Sequence, residues 1–477
     1  MMRFEMVIGL EVHIQLKMAS KIFSEAPTSY GQPPNTEVSW VDIGMPGTLP
    51  VVNRKVVEMA VCFALAVDGE IARDSFFARK NYFYPDLAKG YQISQSDCPI
   101  VRNGKLSIQG TSGEKVIHIE RAHLEEDAGK SVHNFIGEST GLDYNRAGTP
   151  LLEIVSAPDF RSGEEVVRYL KTLHQLVRHL KICDGNMQEG SFRCDVNLSV
   201  REKGDMALGV RTEMKNLNSF RFIEKAIEYE FNRQVNLIQK GHTVKQETRL
   251  YDPDKNETRA MRQKEDAFDY RYFPDPDLLP ISVTDVLIDS IRAKMPILAQ
   301  VRRQKYAEIL AETQVAFLMD DPEVADYFDK VSEKVAPKKA FNWISVELQS
   351  LFNRQNSRFD DGKFPPRVLI ELIEKVDDEV ISLKSAKQVM QSYYTKPQSI
   401  EVIIDKLGVR QRNDDGLVAS LADHIIAENP KQVADYNGGK TKLLGFFVGQ
   451  IMKAAKGKAN PKQVNAIVIK KLSDQAK

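Results

Sequence analysis

The sequence predicts an α+β protein: a β-rich first part built on an antiparallel sheet, then helices to the end. Three observations carry that prediction. Residues 1 to about 290 are rich in alternating apolar and polar side chains, broken by Gly and Pro turns. From 291 onward the alternation gives way to apolar residues at three- and four-residue steps. The chain of 477 residues is also too long for one ordinary core, so two or three domains are expected, and the change of pattern divides it into 1–290, 291–400 and 401–477.

The first element is VIGLEVHIQL, residues 7–16. As a strand it puts Leu10, Val12, Ile14 and Leu16 on one face and Glu11, His13 and Gln15 on the other. A half-buried strand with a wet face explains this stripe, and so does the floor of a site. HLEEDAGK follows, with Glu125, Glu126 and Asp127 before a Gly turn. EEVVRYLKTLHQLVRHL repeats Val166, Leu170, Leu173, Val177 and Leu180 on one helical face. GNMQEGSFR carries Glu189, and FRCDVNLSVR then alternates again. Its Arg193, Asp195, Asn197, Ser199 and Arg201 oppose Phe192, Cys194, Val196, Leu198 and Val200. In GVRTEMKNLN, Arg211, Glu213 and Lys215 share a face opposite Val210 and Met214. A second helix starts near Asn218, with Ser219 as cap and Gly241 as stop. These two are the helices expected before residue 290. Beyond it, stretches such as FPPRVLIELIEKV, LKSAKQVMQSYYT and LVASLADHIIAEN read as helices.

Acidic and basic residues balance at 66 each, which argues against coating nucleic acid by charge alone. The distribution is uneven. From Gly439 onward nine lysines face one acid, Asp474. That stretch is either a solvated helical face or a contact surface for a phosphate backbone. No run approaches the ~18 apolar residues of a membrane span, and the N-terminus lacks the pattern of a signal peptide, so a cytoplasmic protein without membrane contact is expected. Cys62, Cys98, Cys183 and Cys194 form no CxxC pair, and no GxSxG elbow is present. ADYNGGKT, residues 434–441, fits a loose phosphate loop, but a helix rather than a strand is expected before it.

Several segments thus offer carboxylates to the wet face of one sheet. Hard oxygen ligands suit Mg²⁺, whereas a histidine beside them fits Mn²⁺ or Zn²⁺ better. Arg79, Lys80 and Lys89 could take phosphate oxygens, or these charges could simply pair on a solvated surface.

Long strings of this chain resemble the B-subunit family of tRNA-dependent amidotransferases. They include GLEVHIQL, GMPGTLPVVN, RKNYFYPDLAKGYQISQ, HLEEDAGK, DYNRAGTPLLEIVSAPD, GNMQEGSFRCDVNLSVR, TEMKNLNSF, RQKEDAFDYRYFPDPDL and GKANP. The resemblance implies an N-terminal cradle domain on an antiparallel sheet, a helical domain and a YqeY-like tail. It implies that ATP and Mg²⁺ (or Mn²⁺) serve to phosphorylate the side-chain carboxyl of Glu-tRNA(Gln) or Asp-tRNA(Asn). Ammonia then gives the amide. Its source would be an amidase-type glutaminase partner, and a small third chain would complete a heterotrimer.

Carried to matching positions, Glu11, His13 and Glu125 or Glu126 resemble metal or phosphate-site residues. Asp195 and Glu213 resemble further members of the same site, with Glu189 and Lys215 beside them. Lys80 and Lys89 resemble residues at the transferred phosphate or on the ammonia path, and Arg79 is expected on the cofactor side. The tail lysines would hold the outer part of the tRNA. Two departures stand out. Where many members carry zinc-binding cysteines this chain has Ser24, Ala26, Ser39 and Asp42, so a structural zinc is expected to be absent and hydrophobic packing to hold that lobe. Ala88 also replaces a proline in DLAKGYQ. Two rival readings are a tRNA-binding scaffold without chemistry of its own and a stand-alone metallohydrolase.

Overall fold

The computed structural model describes residues 3–95, 97–110, 113–263, 270–411, 415–455, 459 and 461–474. They fall into two compact units, Met1–Arg302 and Arg303–Lys477. Part of RQKEDAFDYRYFPDPDL (264–269), most of GKANP, Lys456, Lys458 and Lys477 lie outside the described residues.

The first unit holds strands β1 (Phe4–Gln15), β2 (Glu70–Ile71), β3 (Asp74–Ser75), β4 (Ala78–Asn81), β5 (Tyr91–Ser94), β6 (Val101–Gly110), β7 (Gly113–Glu126), β8 (Lys130–Ile136), β9 (Ser139–Asp143), β10 (Pro150–Ser156), β11 (Phe192–Glu202), β12 (Thr212–Lys215), β13 (Glu247–Asp252), β14 (Glu257–Gln263), β15 (Phe273–Pro274) and β16 (Ile281–Ser282). Nine of them make one sheet in the order β14-β13-β12-β11-β1-β10-β7-β6-β2. Its pairs are antiparallel except β12 with β13. β1 lies at the centre, so its alternation decides what each face of the sheet presents. Leu10, Val12, Ile14 and Leu16 are buried, as the sequence pattern requires. They pack into one core with the helices α1 (Arg54–Ala66), α2 (Gly163–His179), α3 (Phe220–Gln239) and α4 (Asp285–Arg292).

Ser162 and Ser219 cap α2 and α3, accepting from Glu165 N and Phe222 N. Gly241 takes φ +75 just past α3, where a side chain would be strained. Helix α1 was not expected from the pattern. RKVVEMAVCFALA confines its polar residues, Arg54, Lys55 and Glu58, to its start and buries Val56, Val57, Ala60, Val61, Cys62, Phe63 and Ala64, so no polar face runs along it for periodicity to reveal.

The lobe between β1 and α1 corrects another expectation. Ile22 and Phe23 do pack into the core, with Phe23 edge-on to Phe77 at 5.2 Å. Packing is only half of the account, however. Lys21, fully buried, donates to Asp42 Oδ2 at 3.0 Å and to the Glu37 carbonyl at 2.6 Å. Ser24 Oγ donates to Asp42 Oδ1 at 2.8 Å, and Ser39 N to Asp42 Oδ2 at 2.8 Å. A buried ion pair with its remaining lone pairs satisfied therefore sits at the lobe's centre. Gly148 (φ +80) closes against it, since a Cβ there would come within 2.7 Å of Asp42 Oδ1.

The second unit is helical. Its last segment has its own core of Val418, Ala422, Phe447, Ile451, Val464, Val468 and Leu472. A helix, Pro430–Asn437, precedes the glycines of ADYNGGKT, and Lys440 turns back to Asp435 at 3.1 Å. That is not the strand–loop–helix a phosphate loop needs. Among the described residues, no helix is long and apolar enough to cross a membrane.

Candidate active site

The polar face of the sheet gathers titratable side chains because consecutive strands bring alternate residues into register. His13 on β1 lies directly opposite Glu153 on β10, and Glu153 lies directly opposite His123 on β7. Glu125 follows two residues after His123, on the same face. On the other flank, Glu11 of β1 opposes Asp195 of β11, and Asn197 of β11 opposes Glu213 of β12.

Two groupings result. In the first, His13 Nε2 is 3.2 Å from Glu153 Oε2 and 3.6 Å from Glu125 Oε1. His123 Nε2 is 3.4 Å from Glu153 Oε2 and 3.8 Å from Glu125 Oε2. Burial alone would lower both imidazole pKa values, but Glu153 and Glu125 outweigh it and each is raised to about 9. The imidazoles in turn overcome the burial of Glu153 and hold it well below the ordinary carboxylate range. In the second grouping Lys215 is paired with Asp195 and lies 3.4 Å from Glu213. Asn197 Nδ2 donates to Glu11 at 2.9 Å and Thr248 Oγ1 to Glu213 at 2.8 Å.

Both groupings open onto one cleft of about 530 Å³, lined also by Lys80, Arg121, Tyr82, Tyr84, Tyr270 and Tyr272. Lys80 Nζ stands 4.8 Å from the Tyr270 ring centroid and 5.8 Å from that of Tyr82. Burial opposes its charge, but Tyr272, Glu125 and Glu153 raise its pKa, so Lys80 stays an ammonium.

A family model described as the GatB/GatE catalytic domain matches residues 6–289, more than half of the chain. The chain belongs to the GatB/GatE family. A further model, described as the GatB domain, matches residues 326–472. Among relatives, the B subunit of the aspartyl/glutamyl-tRNA(Asn/Gln) amidotransferase of Francisella tularensis subsp. tularensis (strain WY96-3418) is 61% identical over 472 residues, covering 99% of this chain and all of the relative. Its counterpart from subsp. novicida (strain U112) is 61% identical over the same span.

In this GatB/GatE chain the structure brings together Glu11, His13, Glu125, Asp195, Glu213, Lys80 and Lys215. It separates Glu125 from Glu126. Glu126 points to the opposite side of β7, where it is paired with Lys89 at 2.5 Å and accepts from Ile93 N at 2.9 Å. Arg79, next to Lys80 on β4, is held by Asp275 and Asp277, each at 2.8 Å, and stacks over Tyr91. Glu189 is exposed in a turn whose amides bond Asn186 Oδ1, and it belongs to neither grouping. Sequence reasoning missed Glu153 and His123. The signal for His123 was present, since Arg121, His123 and Glu125 alternate as Glu11, His13 and Gln15 do. Glu153 is a lone acid in the apolar run PLLEIVS, where only a site or a buried pair would keep it.

The donor sets also bear on the metal that the resemblance implies. Glu11, Asp195 and Glu213 each place a carboxylate oxygen within 4.8 Å of the others, and an all-oxygen set fits Mg²⁺. His13, Glu125 and Glu153 meet the same distance with one nitrogen, which fits Mn²⁺ or Zn²⁺ better than Mg²⁺. Asn197 Oδ1, beside Glu11, is buried without a partner.

Proposed function

We propose that this chain is the B subunit of a tRNA-dependent amidotransferase and that the cleft activates the side-chain carboxyl of Glu-tRNA(Gln) or Asp-tRNA(Asn). The observation that carries this reading is the meeting, in one cleft, of two carboxylate groupings with two lysines, Lys80 and Lys215. In the first step a carboxylate oxygen of the substrate attacks the γ-phosphorus of ATP, the β–γ bridge breaks and ADP leaves. In the second, ammonia attacks the acyl phosphate, inorganic phosphate leaves and a proton is lost. Lys80, kept charged, faces the phosphoryl oxygens as charge builds on them. Glu11, Asp195 and Glu213, with His13, Glu125 and Glu153, would hold Mg²⁺, which when bound neutralises phosphate charge. The four tyrosines wall the cleft and limit the water that would hydrolyse an acyl phosphate.

On this reading Lys89 and Glu126, on the far face of the sheet, belong to the route by which ammonia arrives from the amidase-type glutaminase. A small third chain completes the heterotrimer. Residues 1–290 act as the cradle, 291–400 as a helical domain and 401–477 as the part that holds tRNA through its lysines.

The test uses the assembled complex with ammonia in place of glutamine, Mg-ATP and Glu-tRNA(Gln). Wild type should form Gln-tRNA with release of ADP, while Glu125→Gln and His13→Ala should not. Variants that assemble and work as well as wild type would reduce the chain to a scaffold.

A further inference from the structure

His13 and His123 aim the same nitrogen at the same two acids, yet they are not equivalent. His13 retains 20% of its side-chain exposure and completes a metal-capable grouping with Glu125 and Glu153. The His123 side chain is 7% exposed and is not part of that grouping. Its Nδ1 is buried without a hydrogen-bond partner, so the ring is anchored through Nε2 alone.

The carboxylates divide between the two rings in a definite way. Glu125 turns Oε1 to His13 and Oε2 to His123, while Glu153 offers Oε2 to both. Glu125 Oε2 accepts from Ser94 Oγ at 3.5 Å and lies farther, 3.8 Å, from His123, so Glu153 is the acid that His123 holds. A carboxylate's last torsion is broad and two-fold, so a glutamate needs partners to hold its plane. Nε2–H is a donor whether or not Nδ1 carries a second proton, so this restraint does not depend on the charge of His123.

We propose that His123 is a positioning residue whose Nε2–H, 3.4 Å from Glu153 Oε2, fixes the plane of Glu153, so that its remaining lone pairs converge with Glu125 and His13 on a divalent cation. The inference rests on the reading of the cleft as the activation site. A group that orients metal-binding side chains in this way typically governs metal affinity by about 10–100-fold.

Glutamine and asparagine separate this role from mere bulk. The amide nitrogen of His123→Gln reaches the position of Nε2, whereas that of His123→Asn reaches only the position of Nδ1. The assembled complex is titrated with Mn²⁺ alone and free Mn²⁺ is read by electron paramagnetic resonance. Ammonia-dependent amidation supplies KM for the tRNA in parallel. His123→Asn should weaken Mn²⁺ binding about 10–100-fold with KM for tRNA unchanged, and His123→Gln should restore most of the affinity. Wild-type Mn²⁺ binding in His123→Asn, or equal losses in the Gln and Asn variants, would overturn the positioning role. Glu125→Gln is the control for the underlying reading. If it binds Mn²⁺ and amidates like wild type, the site itself is misassigned and the role of His123 falls with it.

Discussion

Two polar networks lie on the same nine-stranded sheet, and they are built on opposite principles. On α3, Glu230 is fully buried and every contact it makes is a donor. Thr212 Oγ1 (2.9 Å), Arg233 Nε (2.9 Å) and Nη2 (2.6 Å), Gln234 Nε2 (3.0 Å) and Thr258 Oγ1 (2.8 Å) converge on its two oxygens, with Arg249 at 3.3 Å. Burial would raise its pKa, but Arg233 and these donors hold it below the ordinary value. The cleft does the reverse. Glu11, Asp195 and Glu213 meet with Lys215 as the cation among them, and Glu125 and Glu153 lean on imidazoles rather than arginines. A carboxylate holding five donor contacts has no lone pair left for a ligand, whereas among the described residues Glu11 takes one donor, Asn197, and Glu153 only the two imidazoles. The difference separates a polar network that holds the sheet together from one that can work on a substrate.

The largest expected effect strikes the saturated network. Glu230→Ala takes away the acceptor shared by Thr212, Arg233, Gln234 and Thr258, leaves Arg249 to Glu247, and should cost about 3–5 kcal/mol, read as a lower urea midpoint. Amidation per folded molecule should stay at the wild-type level. Next comes the mirror case in the cleft. Glu125→Gln should lower ammonia-dependent amidation by about 100-fold or more, roughly 3 kcal/mol of transition-state stabilisation. Its urea midpoint should hold or rise, because crowded site residues are commonly kept at the expense of stability. Equal losses of stability in both variants would erase the distinction.

The contrast also explains what was legible in the sequence. The cleft was half visible, because alternation in VIGLEVHIQL, FRCDVNLSVR and TEMK marks one face of each strand. The same rule places Glu125 and Glu126 on opposite faces, but HLEED alone does not say which face is wet. Glu189 reads as a site acid because pattern gives no position in space, and in the structure it sits in the Asn186 turn and joins neither grouping. Glu153 stayed hidden because the residue that explains it, His123, sits on a strand 30 positions earlier in the chain. The Glu230 network was invisible for the same reason, since its partners come from β12, β13 and β14. Long-range register, not local pattern, assembles both.

Proton linkage separates the two networks on one molecule. His13 and His123 are raised to about 9, so in metal-free protein their stabilisation is complete below pH ~6.5 and is lost as pH rises through about 9. Glu230 is lowered, so its contribution is complete above pH ~4.3 and is lost as pH falls through its depressed value. Urea midpoints in chelated buffer should therefore fall between pH 7 and 10 by on the order of 1–3 kcal/mol. The doubly substituted His13→Ala, His123→Gln chain should lack that slope and keep the acid one. An unchanged alkaline slope would show that the imidazoles are not the groups titrating.

The smallest effect tests whether saturation is a general mark of structure on this chain. The Lys21–Asp42 pair resembles the Glu230 network: Asp42 is buried and takes Lys21, Ser24 and Ser39 as donors. It nevertheless sits close to the site, because Ile22 N bonds the Gly148 carbonyl and Gly148 N bonds the Asp127 carbonyl, two residues beyond Glu125. Ser24→Ala removes one donor to a buried charge while the other two remain, which should cost about 1–2 kcal/mol in the urea midpoint. If saturation marks structure, amidation by the folded complex is unchanged. If amidation falls while the midpoint holds, the lobe transmits strain through Gly148 to the end of β7, and a closed network next to a site must be counted as part of it.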